Sequence, residues 1–338
     1  MSLAALLLLA CSETAPVESA SAETAPAART RTLTVAAFTT PREAYGKTIM
    51  PAFAEQWKAK TGETVVFEAS YQGSGAQARA VREGLKADVV ALSLEPDITV
   101  LEEAGLITHD WKAGAGEGMV TRSLAVIAVR PGNPKGMADW SDLSRADVDV
   151  LTPNVRTSGG AMWNVLAIWG AGTRGFSGVT AGDEQATIDL LRGVLARVTV
   201  MDKGARESIV NFEKGVGDAA ITYENEVLVA KASGKQMDYV VPPSTILIEN
   251  PVAVVDTYAK ANGNEDLARA FVAFLQTPEA QAAYAQYGLR PVDESQAPVG
   301  LPQPTDLFTI EDLGGWGAMK TRVFDKGGAY DHAVPTGR

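Results

Sequence analysis

The sequence predicts an α/β protein of two doubly wound lobes, joined by crossing strands, with a ligand cleft between them. Three observations predict it. Short apolar segments alternate with helical ones through most of the chain, the pattern of a sheet covered by helices. The alternation runs twice, and Pro131-Gly132-Asn133-Pro134 breaks off the strand at 123–129. Two extended segments, 245–248 and 252–255, follow the second set and can carry the chain back to the first. The length of 338 residues suffices for two domains of ordinary size.

The elements follow in order. Residues 33–38 form a continuous apolar strand of the buried, parallel type. Thr39-Thr40-Pro41 turns into a helix over 42–61, with Ile49, Phe53 and Trp57 at helical spacing. A strand at 64–68, a loop at 70–76, a helix at 77–84, a strand at 88–93 and a helix at 98–104 complete the first set. A strand at 123–129 opens the second. Its further strands are 148–152, 198–201, 219–222 and 239–241, and its helices are 162–169, 184–196, 208–214 and 224–233. Amphipathic helices at 267–275 and 278–287 come after the crossing segments. The expected division is 32–122 with 246–338 in lobe I, and 123–245 in lobe II. Ligands in open α/β sheets sit beyond the carboxyl ends of the strands, which here face the cleft.

Composition narrows the function. Hydrophobic residues make up 46% and charged residues 21%, an ordinary globular mixture. A net charge of −11 argues against nucleic acid as a partner. Any anion must therefore be held by a local site against the overall field, which oriented N–H groups can do. The apolar run at 3–9 is too short to span a bilayer. It ends in Leu8-Leu9-Ala10-Cys11, which resembles a bacterial lipobox and implies lipid on Cys11, although no Lys or Arg precedes the run. Residues 1–11 are thus expected to be a lipoprotein signal, and 12–31, rich in Ala, Ser, Thr, Pro and Glu, a flexible tether. Cys11 is the only cysteine, so no internal disulfide and no thiol-based metal site can form.

The most informative segment is Thr152 to Gly170, where a strand, a turn at Pro153-Asn154 and Ser158-Gly159-Gly160 lead into an apolar helix. Glycines at a helix mouth leave the backbone open to a ligand, the first amides lack helical partners, and the dipole is positive there. That is an anion socket made of backbone. Similar turns occur at Thr39-Thr40-Pro41, Gln72-Gly73-Ser74-Gly75 and Lys203-Gly204-Ala205-Arg206, two in each lobe. An anion between them would tie the lobes together. Gly73-Ser74-Gly75-Ala76-Gln77-Ala78 also fits a loose dinucleotide pattern, but on the second strand and without the acidic residue that pattern needs. No cofactor is expected.

From Leu33 onward the chain resembles the bacterial sulfate- and thiosulfate-binding proteins that feed ABC importers. The resemblance rests on Gly73-Ser74-Gly75, Ala87-Asp88-Val89-Val90, Arg130-Pro131-Gly132-Asn133-Pro134, Leu151-Thr152-Pro153-Asn154, Thr157-Ser158-Gly159-Gly160 and Trp163-Asn164. It continues through Gly204-Ala205-Arg206, Tyr223-Glu224-Asn225-Glu226, Arg290-Pro291 and Gly314-Gly315-Trp316. It implies the periplasmic binding protein type II fold, an extracytoplasmic monomer, an ABC permease as partner, and a dehydrated dianion held by N–H groups and hydroxyls. Carried over to this chain, the ligands are the N–H of Thr40, the N–H and hydroxyl of Ser74, the N–H groups of Gly159 and Gly160, the N–H of Ala205, and Tyr223. Ser158 and Gly204 complete the binding turns. The chain departs from the pattern at Thr40, where the family has Asp, and at Tyr223, where it has Trp. An indole only donates, whereas a phenol donates or accepts.

Sulfate needs donors only, and phosphate also needs an acceptor for its proton. Thiosulfate, phosphate, molybdate and tungstate are the alternative ions. An anion-processing hydrolase is the alternative class, but no Gly-x-Ser-x-Gly elbow and no metal-ligand cluster is legible. Glu224 and Glu226 read as the acidic start of a helix, and Arg42 and Arg206 as partners of carboxylates. His109 and His332, beside Asp110 and Asp331, read as surface residues, and Trp57, Trp140, Trp163 and Trp169 as packing.

Overall fold

The computed structural model describes residues 29–335. Cys11, the signal segment and residues 12–28 of the tether lie outside the described residues. The first strand, β1 (Thr30–Phe38), includes the last two residues of the expected tether. Arg31 holds it there: its guanidinium is buried against Asp266, at 2.6 and 2.9 Å, and Glu63 at 3.2 Å.

β1 pairs in parallel with β2 (Thr64–Gln72) and β3 (Val89–Ala91). β4 (Met119–Val129) is followed by β5 (Val150–Pro153), β6 (Val198–Asp202), β7 (Ala219–Tyr223), β8 (Asp238–Val240) and β9 (Ser244–Val254). The sheet runs β2-β1-β3-β9-β4-β7-β5-β6. The two long strands make the crossing. β9 pairs with β3 through Val252–Val254 and with β4 through Leu247–Pro251. β4 pairs with β9 through Met119–Leu124 and with β7 through Ala125–Val129. The two extended segments at 245–248 and 252–255 are therefore one 11-residue strand. Glu249-Asn250-Pro251 interrupts its apolar pattern but not its pairing, because Arg122 and Thr121 on β4 bond Glu249 and Asn250.

Side-chain alternation along each strand builds a core on both faces. Leu33, Val35 and Ala37 pack with Phe53, Phe271 and Tyr284 on one face of β1, and Ala36 packs with Val90, Leu92 and Ile98 on the other. On β4, Ala125, Ile127 and Val129 join Trp140, Trp163 and Trp169, whereas Leu124, Val126 and Ala128 join Phe212 and Val227.

The C-terminal region divides. The helices Glu265–Phe274 and Pro278–Gln286 cover the β1 half. β10 (Arg290–Pro291) pairs with β4 and β11 (Asp306–Phe308) with β9. Phe308, Trp316, Met319, Val323 and Ala333 then pack with Trp163, Trp169 and Leu191, in the half that sequence reading assigned to 123–245 alone. Phe308 lies over Gly170, where a Cβ would collide with its ring. The missing side chain is what admits the C-terminal segment to this half.

Candidate functional site

Five strands run out at turns that open helices. β2 leads to Ser74–Arg82, β3 to Glu95–Glu103, β5 to Gly159–Thr173, β6 to Ala205–Glu213 and β7 to Glu224–Ala232. Their cap residues are Gly73, Leu94, Ser158, Gly204 and Tyr223, and none makes a side-chain cap hydrogen bond. The first amides of a helix have no carbonyl one turn back, so they are left to whatever the turns enclose. The helices themselves start earlier than the sequence reading placed them, at Ser74, Gly159 and Ala205. Ser74, Gly159, Gly160 and Ala205 are therefore first-turn residues and not loop.

The turns meet. A Cβ placed on Gly160 would stand 2.9 Å from Tyr223 Cε2, 3.3 Å from the Ala205 Cβ and 3.3 Å from Ser158 Oγ. One on Gly159 would stand 2.6 Å from Ser93 Oγ, and one on Gly73 would strike the Thr157 carbonyl. One on Gly204 would lie 3.8 Å from Thr39 Oγ1. Only glycine allows backbone and side chains to close this tightly. Thr40, Ser74, Ser158, Gly159, Gly160, Gly204, Ala205 and Tyr223 are all buried. Turns from both halves of the sheet therefore approach one another: Gly160 lies beside Ser158, Ala205 and Tyr223, and across the halves Gly159 lies beside Ser93, Gly73 beside Thr157 and Lys203, and Gly204 beside Thr39.

Ser74 differs in detail from its expected part. Its hydroxyl donates to Asp97 Oδ2 at 2.5 Å and accepts from the Ser93 N–H at 2.8 Å. Its single proton is committed, which leaves the N–H as the donor that Ser74 offers. Ser158, by contrast, spends no hydroxyl on capping.

Ser93 joins the two halves. Its carbonyl accepts from Trp163 Nε1 at 2.9 Å and from Asn250 Nδ2 at 3.0 Å, and its hydroxyl lies 2.6 Å from the Tyr223 hydroxyl. Burial pushes the Tyr223 phenol well above its ordinary range and keeps it protonated. Burial also raises the Asp97 carboxyl from 3.8 to about 6, against the opposing effects of the Ser74 hydroxyl and Arg79. Ser93, Asp97 and Asn250 escaped the sequence reading. The strand-to-helix passage Leu92-Ser93-Leu94-Glu95-Pro96 carries the signal, a Pro in the first helical turn, but has no glycine to attract notice.

The charged neighbours are paired. Arg206 reaches Glu43 at 2.9 and 3.0 Å and lies 2.6 Å from Glu226, so it links the two halves beside the turns. Glu224 is held by Arg290 at 2.7 and 3.0 Å. Arg42 lies over the Tyr71 ring at 5.4 Å. His109 pairs with Asp256 at 2.7 Å and not with its neighbour Asp110. Among the described residues no group of three or more His, Cys, Asp or Glu gathers to hold a metal.

A family model described as bacterial extracellular solute-binding protein matches residues 33–290. The sulfate-binding protein of Synechococcus elongatus is 43% identical over 304 residues, 88% of this chain and 85% of the relative. The sulfate-binding protein of Escherichia coli is 39% identical over 83% of this chain and 86% of its own, and the thiosulfate-binding protein of that organism 36% identical over 85% and 87%. Among solved structures, the sulfate-binding protein SubI from Mycobacterium tuberculosis H37Rv matches with a TM-score of 0.79 at 37% identity, over 87% of this chain and 100% of its own. A periplasmic thiamin binding protein, 16% identical, shares the fold at a TM-score of 0.67. The relatives are solute-binding proteins of the periplasmic binding protein type II fold and not enzymes, and this chain belongs to the same family, the bacterial extracellular solute-binding proteins.

Proposed function

We propose that this protein captures sulfate outside the cytoplasm and delivers it to an ABC importer. The observation that carries the reading is the set of five helix starts, none capped by a side chain, whose turns approach one another from the two halves of the sheet. The N–H groups of Thr40, Ser74, Gly159, Gly160 and Ala205 and the hydroxyls of Ser158 and Tyr223 are the donors in this reading. Partial positive charge at the helix starts supplies the attraction. Arg206, beside the turns, is already balanced by Glu43 and Glu226. The dianion then meets dipoles in place of a formal charge, which keeps its release fast enough for transport. Lobe I and lobe II close over it by bending β4 and β9, the two strands that both halves share. A donor set of this kind suits an ion without protons, because a protonated oxyanion would bring a hydrogen with no acceptor into a dry site. In this reading Cys11 carries lipid, the residues between it and β1 tether the binding unit to the membrane, and a monomer presents the ion to the permease.

Calorimetric titration of the purified protein with sulfate, thiosulfate, phosphate and molybdate tests the reading. Sulfate should titrate one site per chain and exceed phosphate in affinity. Absence of any heat or thermal shift with sulfate overturns it. Thiosulfate is the second reading, favoured by the relatives named for that ion at 34–36% identity, and tighter binding of thiosulfate than sulfate would select it.

A further inference from the structure

We propose that Ser93, together with Asn250, makes the Tyr223 hydroxyl a group that can only donate toward the cleft, and that this pair sets the preference for an oxyanion without a proton. The proposal rests on the anion reading above and deepens it. A phenol has one proton and can also accept hydrogen bonds. Left alone in the cleft, Tyr223 could accept the proton of hydrogen phosphate and so blunt discrimination.

The surroundings of Tyr223 prevent this. Ser93 is fixed by its backbone: its carbonyl takes N–H groups from Trp163 and Asn250, and its N–H donates to Ser74. Its hydroxyl is thereby held 2.6 Å from the Tyr223 oxygen. The Asn250 amide has one possible orientation. The Ser93 carbonyl can only accept, so the atom facing it is the nitrogen, and the Asn250 oxygen takes the Thr121 hydroxyl at 3.1 Å. In the proposal the second N–H of this amide is directed toward the Tyr223 oxygen, and burial keeps the phenol proton in place.

Either hydroxyl could donate in the Ser93–Tyr223 bond, and in the proposal Ser93 is the donor. If Tyr223 donated to Ser93, the Ser93 proton would be buried with no other acceptor among the described residues. If Ser93 donates to Tyr223, the Tyr223 proton turns to the cleft, where the anion accepts it and every group is satisfied. With Ser93 and Asn250 both donating to its oxygen, Tyr223 has no remaining capacity to accept. It presents a lone donor, as an indole N–H would.

The test is titration of sulfate and of inorganic phosphate at pH 7 into wild type, Ser93→Ala, Tyr223→Phe and the double variant. Ser93→Ala should lower the ratio of sulfate to phosphate affinity about tenfold, the scale of one hydrogen bond gained or lost. In the Tyr223→Phe background the same substitution should leave the ratio unchanged. Ser93→Cys, which keeps the size and donates weakly, should move the ratio in the same direction as Ser93→Ala. Circular dichroism checks that each variant is folded. An unchanged ratio in Ser93→Ala and Ser93→Cys, or an equal drop without the Tyr223 hydroxyl, overturns the proposal while leaving the anion reading intact. A wild type that binds no sulfate removes the anion reading and the proposal with it.

Discussion

The Ser74 hydroxyl and the Asp97 carboxylate meet at 2.5 Å at the edge of the cleft, and the same hydroxyl accepts the Ser93 N–H. Ser74 is thus a ligand candidate through its backbone and a structural partner through its side chain. Removing the hydroxyl leaves a buried carboxylate and a buried N–H without their partner. Ser74→Ala should therefore cost about 1–3 kcal/mol of stability in urea unfolding at pH 8. Its effect on sulfate affinity should be smaller than that of any change that blocks the amides. A variant as stable as the wild type would show that this bond contributes nothing.

Asp97 sets a pH dependence. Burial raises its pKa from 3.8 to about 6, so the folded state prefers the neutral acid. A folded pKa above the unfolded one contributes stability that is fully present below about pH 4 and is lost as pH rises through about 6. The shift of some two units corresponds to about 3 kcal/mol. Asp97→Asn should thus gain stability relative to wild type between pH 4.5 and pH 8. A nearby dianion should hold the proton on Asp97 more firmly still. Wild-type sulfate affinity should then fall severalfold from pH 5 to 7.5, and Asp97→Asn should flatten the profile. Parallel pH profiles for the two proteins would refute the assignment.

Gly160 has no room for a side chain beside Tyr223 and Ala205. Gly160→Val should weaken sulfate binding at least about a hundredfold, or about 2.7 kcal/mol, by filling the space between the helix starts. Tyr223, Ala205 and Ser158 lie in the same half as Gly160, so the substitution should also cost stability. Circular dichroism and titration calorimetry on the same sample separate the two effects. Normal affinity would place the anion away from this helix.

Much of this site was legible because its turns are written in small residues. Gly73-Ser74, Ser158-Gly159-Gly160 and Gly204-Ala205 each stand out between an apolar strand and a helix. Ser93 was not legible, because Leu92-Ser93-Leu94 reads as the end of a strand and its importance lies in bonds to residues 70, 130 and 157 positions away. Asn250 looked like a break between two segments until its pairing partner Thr121 was placed beside it. The end of the chain was misplaced for a related reason. The helices Gly315–Met319 and Ala329–Ala333 have five residues each, too few for periodicity to reveal a buried face. The position of Phe308 depends on a glycine, Gly170, that the sequence reading left just past a helix ended at Trp169.

The proposed anchor has a direct test. Cys11→Ala should abolish incorporation of labelled fatty acid in cells while leaving sulfate affinity unchanged in the purified protein. The cysteine precedes β1 by 19 residues, far enough in sequence to be separate from the binding unit. Equal label in the variant would remove the lipid anchor from the proposed function.

Glu224 follows Tyr223 directly and is fully buried, and its cationic partner among the described residues is Arg290, which bonds it through both Nε and Nη2. Arg290 also donates to the Pro302 carbonyl, so the pair joins the start of the helix Glu224–Ala232 to the segment that returns along β4. Deleting one member of a buried pair strands the other charge in a medium of low polarity, at a cost of about 3–5 kcal/mol. Arg290→Met should be destabilised on that scale in urea unfolding at pH 7. The double variant Arg290→Met with Glu224→Leu should recover most of the loss, since no charge is then stranded. The single variant should also bind sulfate more weakly, because the turn that carries Tyr223 loses its support, and the double variant should regain part of that affinity. If the single variant unfolds at the wild-type midpoint, or the double variant is no better than the single, the Glu224–Arg290 pair is not what fixes this turn.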